Sequence, residues 1–139
     1  MQKITPFIWF EKDAREAAKF YVTVFGKRSK ITGVSTVKDT PSGTVEVVTL
    51  ELAGQGLTLM AAGPFRKINE AISFVVNCAT QKEVDHFWTS LSKGGEPEQC
   101  GWLKDKFGVS WQIVPTVLLK LMNARDPARA GRGTLAMLK

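Results

Sequence analysis

With 139 residues and 44% hydrophobic content, the chain has the length of one domain and enough apolar residues to fill a core. Its net charge of +6 is unevenly placed, because residues 115–139 hold Lys120, Arg125, Arg129, Arg132 and Lys139 against Asp126. The remainder is nearly balanced, which argues against the basic, aromatic-laced face of a nucleic-acid binder. No apolar run approaches the roughly 20 residues of a membrane span.

The first residues, Met1 to Pro6, lack the apolar block and small-residue cleavage site of a signal peptide. A cytoplasmic location is expected, with Cys78 and Cys100 as reduced thiols.

Phe7 to Phe10 reads as a strand, and Asp13 then precedes a helical run. Asp13 with Glu16 has the spacing of a capping box, and Ala17, Phe20, Tyr21 and Val24 repeat with the period of a buried helix stripe. Lys30 to Lys38 is strand-like, Asp39 to Gly43 is a turn cluster, and Thr44 to Leu52 is rich in β-branched residues. Ala53 to Gly56 turns the chain into a strand from Leu57 to Ala61. The order then begins again. Phe74 to Val76 reads as a strand, Thr80 with Glu83 repeats the capping spacing, and Val84, Phe87, Trp88 and Leu91 repeat the stripe. Every one of these helical positions matches its first-half counterpart at an offset of 67.

After Gly94-Gly95, strands are expected at Glu98–Lys104 and Val109–Val114. Pro115 suits the first turn of a helix with Val117, Leu118, Leu121 and Met122 on its apolar face, and Asp126-Pro127 begins a last one. The pattern specifies an α+β fold in a single domain, 1–139, of two βαβββ modules. Module one covers about 3–63, module two about 70–114, and a C-terminal helical segment 115–139. Helices would cover one face of a curved mixed sheet and leave a cleft on the other.

Three segments carry a family resemblance: Ile4 to Phe10, Asn69 to Ser73, and above all Cys100-Gly101-Trp102-Leu103-Lys104-Asp105-Lys106-Phe107-Gly108-Val109-Ser110-Trp111-Gln112. The chain resembles the vicinal-oxygen-chelate superfamily of glyoxalases, dioxygenases and antibiotic-resistance proteins. Within it, the chain is similar to the PhnB-like, 3-demethylubiquinone methyltransferase-like branch. The resemblance implies paired βαβββ modules and commonly a homodimer. It also implies, in metal-dependent members, four ligands from the first and last strand of each module. Those positions fall around Thr5–Phe7, near Met60, around Ala71–Ser73, and at Gln112. None holds histidine, and Gln112 stands where a glutamate is expected, so no bound metal and no cofactor are expected. The sole histidine, His86, reads as a surface residue of the second helix. Methyl transfer fares poorly too, because Gly54-x-Gly56, Gly94-Gly95 and Gly131-x-Gly133 do not follow a first parallel strand.

Strand alternation assigns the cleft lining to Ile8, Phe10, Thr58, Met60, Ser73, Val75, Ser110 and Gln112, with Phe65 and Trp102 at its rim. Such a lining suits a small organic molecule. The leading reading is a metal-independent small-molecule-binding domain acting as a homodimer. One alternative is an enzyme using Glu51, a carboxylate between Leu50 and Leu52, or Cys100 as nucleophile. Another is a protein-interaction module built on the basic C-terminal helices.

Overall fold

The amphipathic runs and β-branched stretches fold where their periods place them, as a computed structural model describing residues 2–117 shows. The C-terminal helical segment expected from Leu118 onward lies outside the described residues. The chain divides into two compact units after Ile68.

The first unit runs β1 (Phe7–Phe10), α1 (Ala14–Phe25), β2 (Lys30–Thr40), β3 (Gly43–Leu52) and β4 (Gln55–Ala61). Its sheet has the order β1-β4-β3-β2, with β1 parallel to β4 and the other pairs antiparallel. Ala14, Ala17 and Ala18 on α1 are fully buried, and their small side chains let the helix backbone approach β3 closely. Tyr21 and Val24 complete that stripe against Val48, Leu50, Leu52, Leu57 and Leu59. Arg15 forks onto Glu46 of β3, with Nη2 2.7 Å from Oε2, and ties the solvent side of α1 to the sheet.

The second unit repeats the topology with β5 (Ser73–Cys78), α2 (Gln81–Ser92), β6 (Glu96–Pro97), β7 (Trp102–Lys104) and β8 (Ser110–Pro115), in the order β5-β8-β7-β6. Again the first and last strands are parallel neighbours. The two units are thus α+β modules of one design, each with a four-stranded mixed sheet and a helix between its first and second strands. Pro115 closes β8, paired with Cys78, and helix follows at Thr116 and Val117, as expected where the sheet stops. Of the strand expected over Glu98–Lys104 only Trp102–Lys104 forms, because Cys100 and Gly101 take φ of 61° and 79° and reverse the chain after β6, which lies before Glu98. Gly101 is required there: a Cβ would lie 2.8 Å from the Ile113 carbonyl oxygen. Gly95 is more confined, since its Cβ would fall 2.1 Å from the Lys104 carbonyl oxygen.

The turn after β7 is built around a buried carboxylate. Asp105 Oδ1 accepts hydrogen bonds from the backbone of Phe107 (2.8 Å) and Val109 (3.1 Å), and Oδ2 accepts from the Trp111 indole (2.8 Å). Asp105 is only 3% exposed. Its partners therefore replace the water that the charge has lost.

The two helix starts differ. Thr80 caps α2, its hydroxyl accepting from the Glu83 backbone at 3.1 Å while the Glu83 carboxylate accepts from Ala79 N–H. Asp13 makes no side-chain cap and sits in the left-handed region with φ of 67°, so the capping box expected for α1 does not form. The backbone at that conformation turns the carboxylate away from the first-turn N–H groups. Thr80→Ala should therefore cost about 1 kcal/mol of stability. Asp13→Gly, which relieves a positive φ while losing a charge near the helix start, should stay within about 0.5 kcal/mol of wild type. Asp105→Ala strands three donors and should cost at least about 3 kcal/mol. Urea denaturation of the three variants checks all of these.

Candidate functional site

Register decides which side chains share a face. In the first unit Phe7 and Trp9 of β1 lie beside Thr58 and Met60 of β4, and Met60 lies beside Val47 of β3. These residues occupy the sheet face opposite α1. Ile8 and Phe10 occupy the helix face instead, at 7% and 4% exposure, beside Leu59 and Ala61. Their expected place in the cleft is therefore corrected. The cause is a change of offset: the helices begin at Ala14 and Gln81, 67 apart, and that offset carries Ile8 onto Val75. Val75, however, stands on the face away from α2, while Phe74 packs its ring on Trp111 at 5.4 Å on the helix side. The strands correspond at an even offset, the helices at an odd one.

The face carrying Trp9 and Met60 holds a cavity of about 360 Å³. Trp9, Val45, Met60 and Ala62 form its floor, Thr40, Pro41 and Ser42 come from the β2–β3 turn, and Phe65 and Arg66 from the segment after β4. Local bonds hold these walls in place. The Trp9 indole donates to the Gly63 carbonyl at 3.0 Å, and the Ser42 hydroxyl donates to the Ala62 carbonyl. Thr40 Oγ1 donates to the Gly43 carbonyl at 2.6 Å and accepts from Ser42 N–H at 3.1 Å. The side-chain donors of the lining are thus turned onto backbone carbonyls of the walls. What faces the space is mainly aromatic, thioether and aliphatic surface.

Of the residues expected at the site, Met60 and Phe65 line this cavity. Thr58 shares the face of Met60 but does not line the cavity. Sequence reasoning missed Trp9, Val45 and Arg66. The alternation that placed Met60 would have selected Trp9, its register partner, had the strand been aligned independently of the helix.

Ser73, Val75, Trp102, Ser110 and Gln112 gather on one face of the second unit's sheet, with Ser73 beside Ser110 and Gln112 beside both Val75 and Trp102. The Gln112 amide donates to the Ser73 hydroxyl at 2.9 Å. Ser110 is fully buried and its hydroxyl has no hydrogen-bond partner among the described residues. At the margin, Lys104 pairs with Glu70 at 3.3 Å. A backbone hydrogen bond at Glu70, aided by the Lys104 ammonium, holds that carboxyl below its usual range.

Glu51 stands half-buried on β3 opposite Lys30 and Gly56, and Cys100 occupies the tight turn before β7. Neither lines the cavity. No disulfide joins Cys78 and Cys100. At the four ligand positions implied by the resemblance, the structure presents Phe7, Met60, Ser73 and Gln112, with the last two bonded to each other. No group of three or more His, Cys, Asp or Glu comes together among the described residues. Such a neutral donor set does not fit a catalytic divalent metal.

The family model for 3-demethylubiquinone-9 3-methyltransferase matches residues 2–114. The chain belongs to this family. It is 31% identical to the PhnB protein of Bacillus cereus, over 82% of this chain and 99% of that one, with a TM-score of 0.71. Protein PA1353 of Pseudomonas aeruginosa, 19% identical, covers 83% of this chain and 98% of its own with a TM-score of 0.67. The fosfomycin resistance protein FosX of Listeria monocytogenes, 13% identical over 88% of this chain and 98% of that one, shares the fold with a TM-score of 0.63. No curated protein matches the chain.

Cys78 ends β5 in the core, 1% exposed, its Sγ 3.7 Å from the Val76 carbonyl oxygen. Burial pushes its thiol up from the ordinary 9.0, and the Glu83 carboxylate adds to the shift. A raised folded value means that the contribution is full below about pH 9 and lost as pH rises through the folded value. Urea midpoints should therefore fall as pH rises past about 9, and Cys78→Ala should flatten that fall. In the native protein Cys78 should resist alkylation that proceeds at once in denaturant.

Proposed function

We propose that this family member is a small-molecule-binding domain that works without a metal, with its ligand held on the sheet face of the first unit. The observation that carries the reading is the cavity of about 360 Å³ on Trp9 and Met60, whose size and apolar lining suit a small organic molecule. The donor set at the family's ligand positions supports the metal-independent part, and the superfamily resemblance supports a homodimer. Methyl transfer is not part of the reading, despite the family's name. The strand-to-helix connections here are Glu11-Lys12-Asp13 and Ala79-Thr80, with no glycine at which a cofactor could approach the backbone.

The neutral aromatic 2-naphthamide is a suitable probe for the cavity. Isothermal titration calorimetry should show one site per chain, unchanged by a chelator, and Met60→Trp should weaken it by about tenfold or more by filling the space. Binding that persists in Met60→Trp, or that disappears with chelator, would overturn the reading. Light scattering at micromolar concentration should give twice the chain mass.

A further inference from the structure

The cavity has one charged wall, and its chemistry narrows the ligand. Among the described residues, Arg66 is the only ionisable residue of the lining, and no carboxylate shares the cavity with it. Its guanidinium has five N–H donors, and among the described residues its one hydrogen bond is a long contact of 3.4 Å to the carbonyl of neighbouring Phe65. The other polar side chains of the lining point their donors elsewhere. The Trp9 indole is turned onto Gly63, the Ser42 hydroxyl onto Ala62, and the Thr40 hydroxyl onto Gly43. Among the described residues, a ligand entering this space therefore meets mainly apolar surface except at the guanidinium of Arg66. The adjacent Lys67, also exposed, adds positive potential at the same edge.

From this we infer that the ligand is an organic anion with an apolar, preferably aromatic body and a single carboxylate-type head, the body seated on Trp9 and Met60 and the head on Arg66. The inference rests on the small-molecule reading above and adds charge selectivity to it. The planar guanidinium matches the two oxygens of a carboxylate. The aromatic faces of Trp9 and Phe65 suit a flat body. A polyhydroxylated ligand is disfavoured, because its hydroxyls would lose water and find no donors or acceptors in the floor.

The test uses two probes of the same shape, 2-naphthoate and neutral 2-naphthamide, titrated calorimetrically into the intact chain. Wild type should bind the carboxylate about tenfold more tightly than the amide. The margin should shrink as salt rises, since Arg66 is exposed. Arg66→Gln should remove that margin, weakening the carboxylate far more than the amide, and Arg66→Lys should restore part of it. Equal binding of the two probes by wild type, or an equal loss of both in Arg66→Gln, overturns the anion assignment and leaves the cavity reading standing. Failure of both probes to bind wild type removes the cavity reading itself. Because Arg66 is exposed, its substitution leaves the fold intact, which circular dichroism verifies.

Discussion

A carboxylate taken out of water must be given donors, and Asp105 receives them from three directions at once. Phe107 and Val109 contribute backbone N–H groups from the turn, and Trp111 contributes its indole from β8. The turn is thereby fixed to the strand that follows it, and with it the pairing of Leu103 beside Trp111 and Trp102 beside Gln112. Ser110 and Gln112 inherit their orientation from that pairing. Around this centre the chain passes so closely that Gly95 and Gly101 leave no room for a side chain. The long family motif from Cys100 to Gln112 is, physically, mostly the construction of this hairpin.

Much of the architecture was readable in advance because it rests on local periods. The stripe of Ala17, Tyr21 and Val24 and the branched run into Leu52 each announce one kind of element, and the repeat announces that the elements recur. What failed was the extension of one offset to everything. Three residues separate Phe10 from α1, whereas two separate Cys78 from α2 in a longer β5. An unequal connection of this kind is invisible in a pattern of apolar residues, yet it reverses the facing of Ile8 and Phe10. The left-handed Asp13 belongs to the same difference, since the shorter strand must enter its helix by another path. The turn at Cys100-Gly101 was hidden for a related reason: a positive φ at a residue other than glycine is hard to read from sequence, and among the described residues Asp13, Arg28, Asp39 and Ala53 share it with Cys100.

The site was legible in part. Met60 and Phe65 emerged from alternation and from position, but Arg66 lies in a segment with no period to read. Its significance depends on what its neighbours do with their hydrogen bonds, a property of folded geometry alone. At the ligand positions the reverse holds. The absence of histidine was visible in the letters, and the structure adds that Gln112 and Ser73 satisfy each other. The hydrogen bond between them makes a fixed side-chain contact between β5 and β8.

The irregular course of β2 has a consequence for the chain in a crowded solution. β2 is an outer strand of eleven residues, long enough to template growth by a foreign strand. Its register slips between Ile31 and Gly33 and again between Val37 and Thr40, so its outward N–H and C=O groups do not form one straight row. Lys30 and Lys38 place like charges near the two ends. β6, the corresponding outer strand of the second unit, reaches the same end by being only two residues long. One module guards its border by distortion and the other by brevity, two different answers to the hazard of fibril growth within a single repeated design.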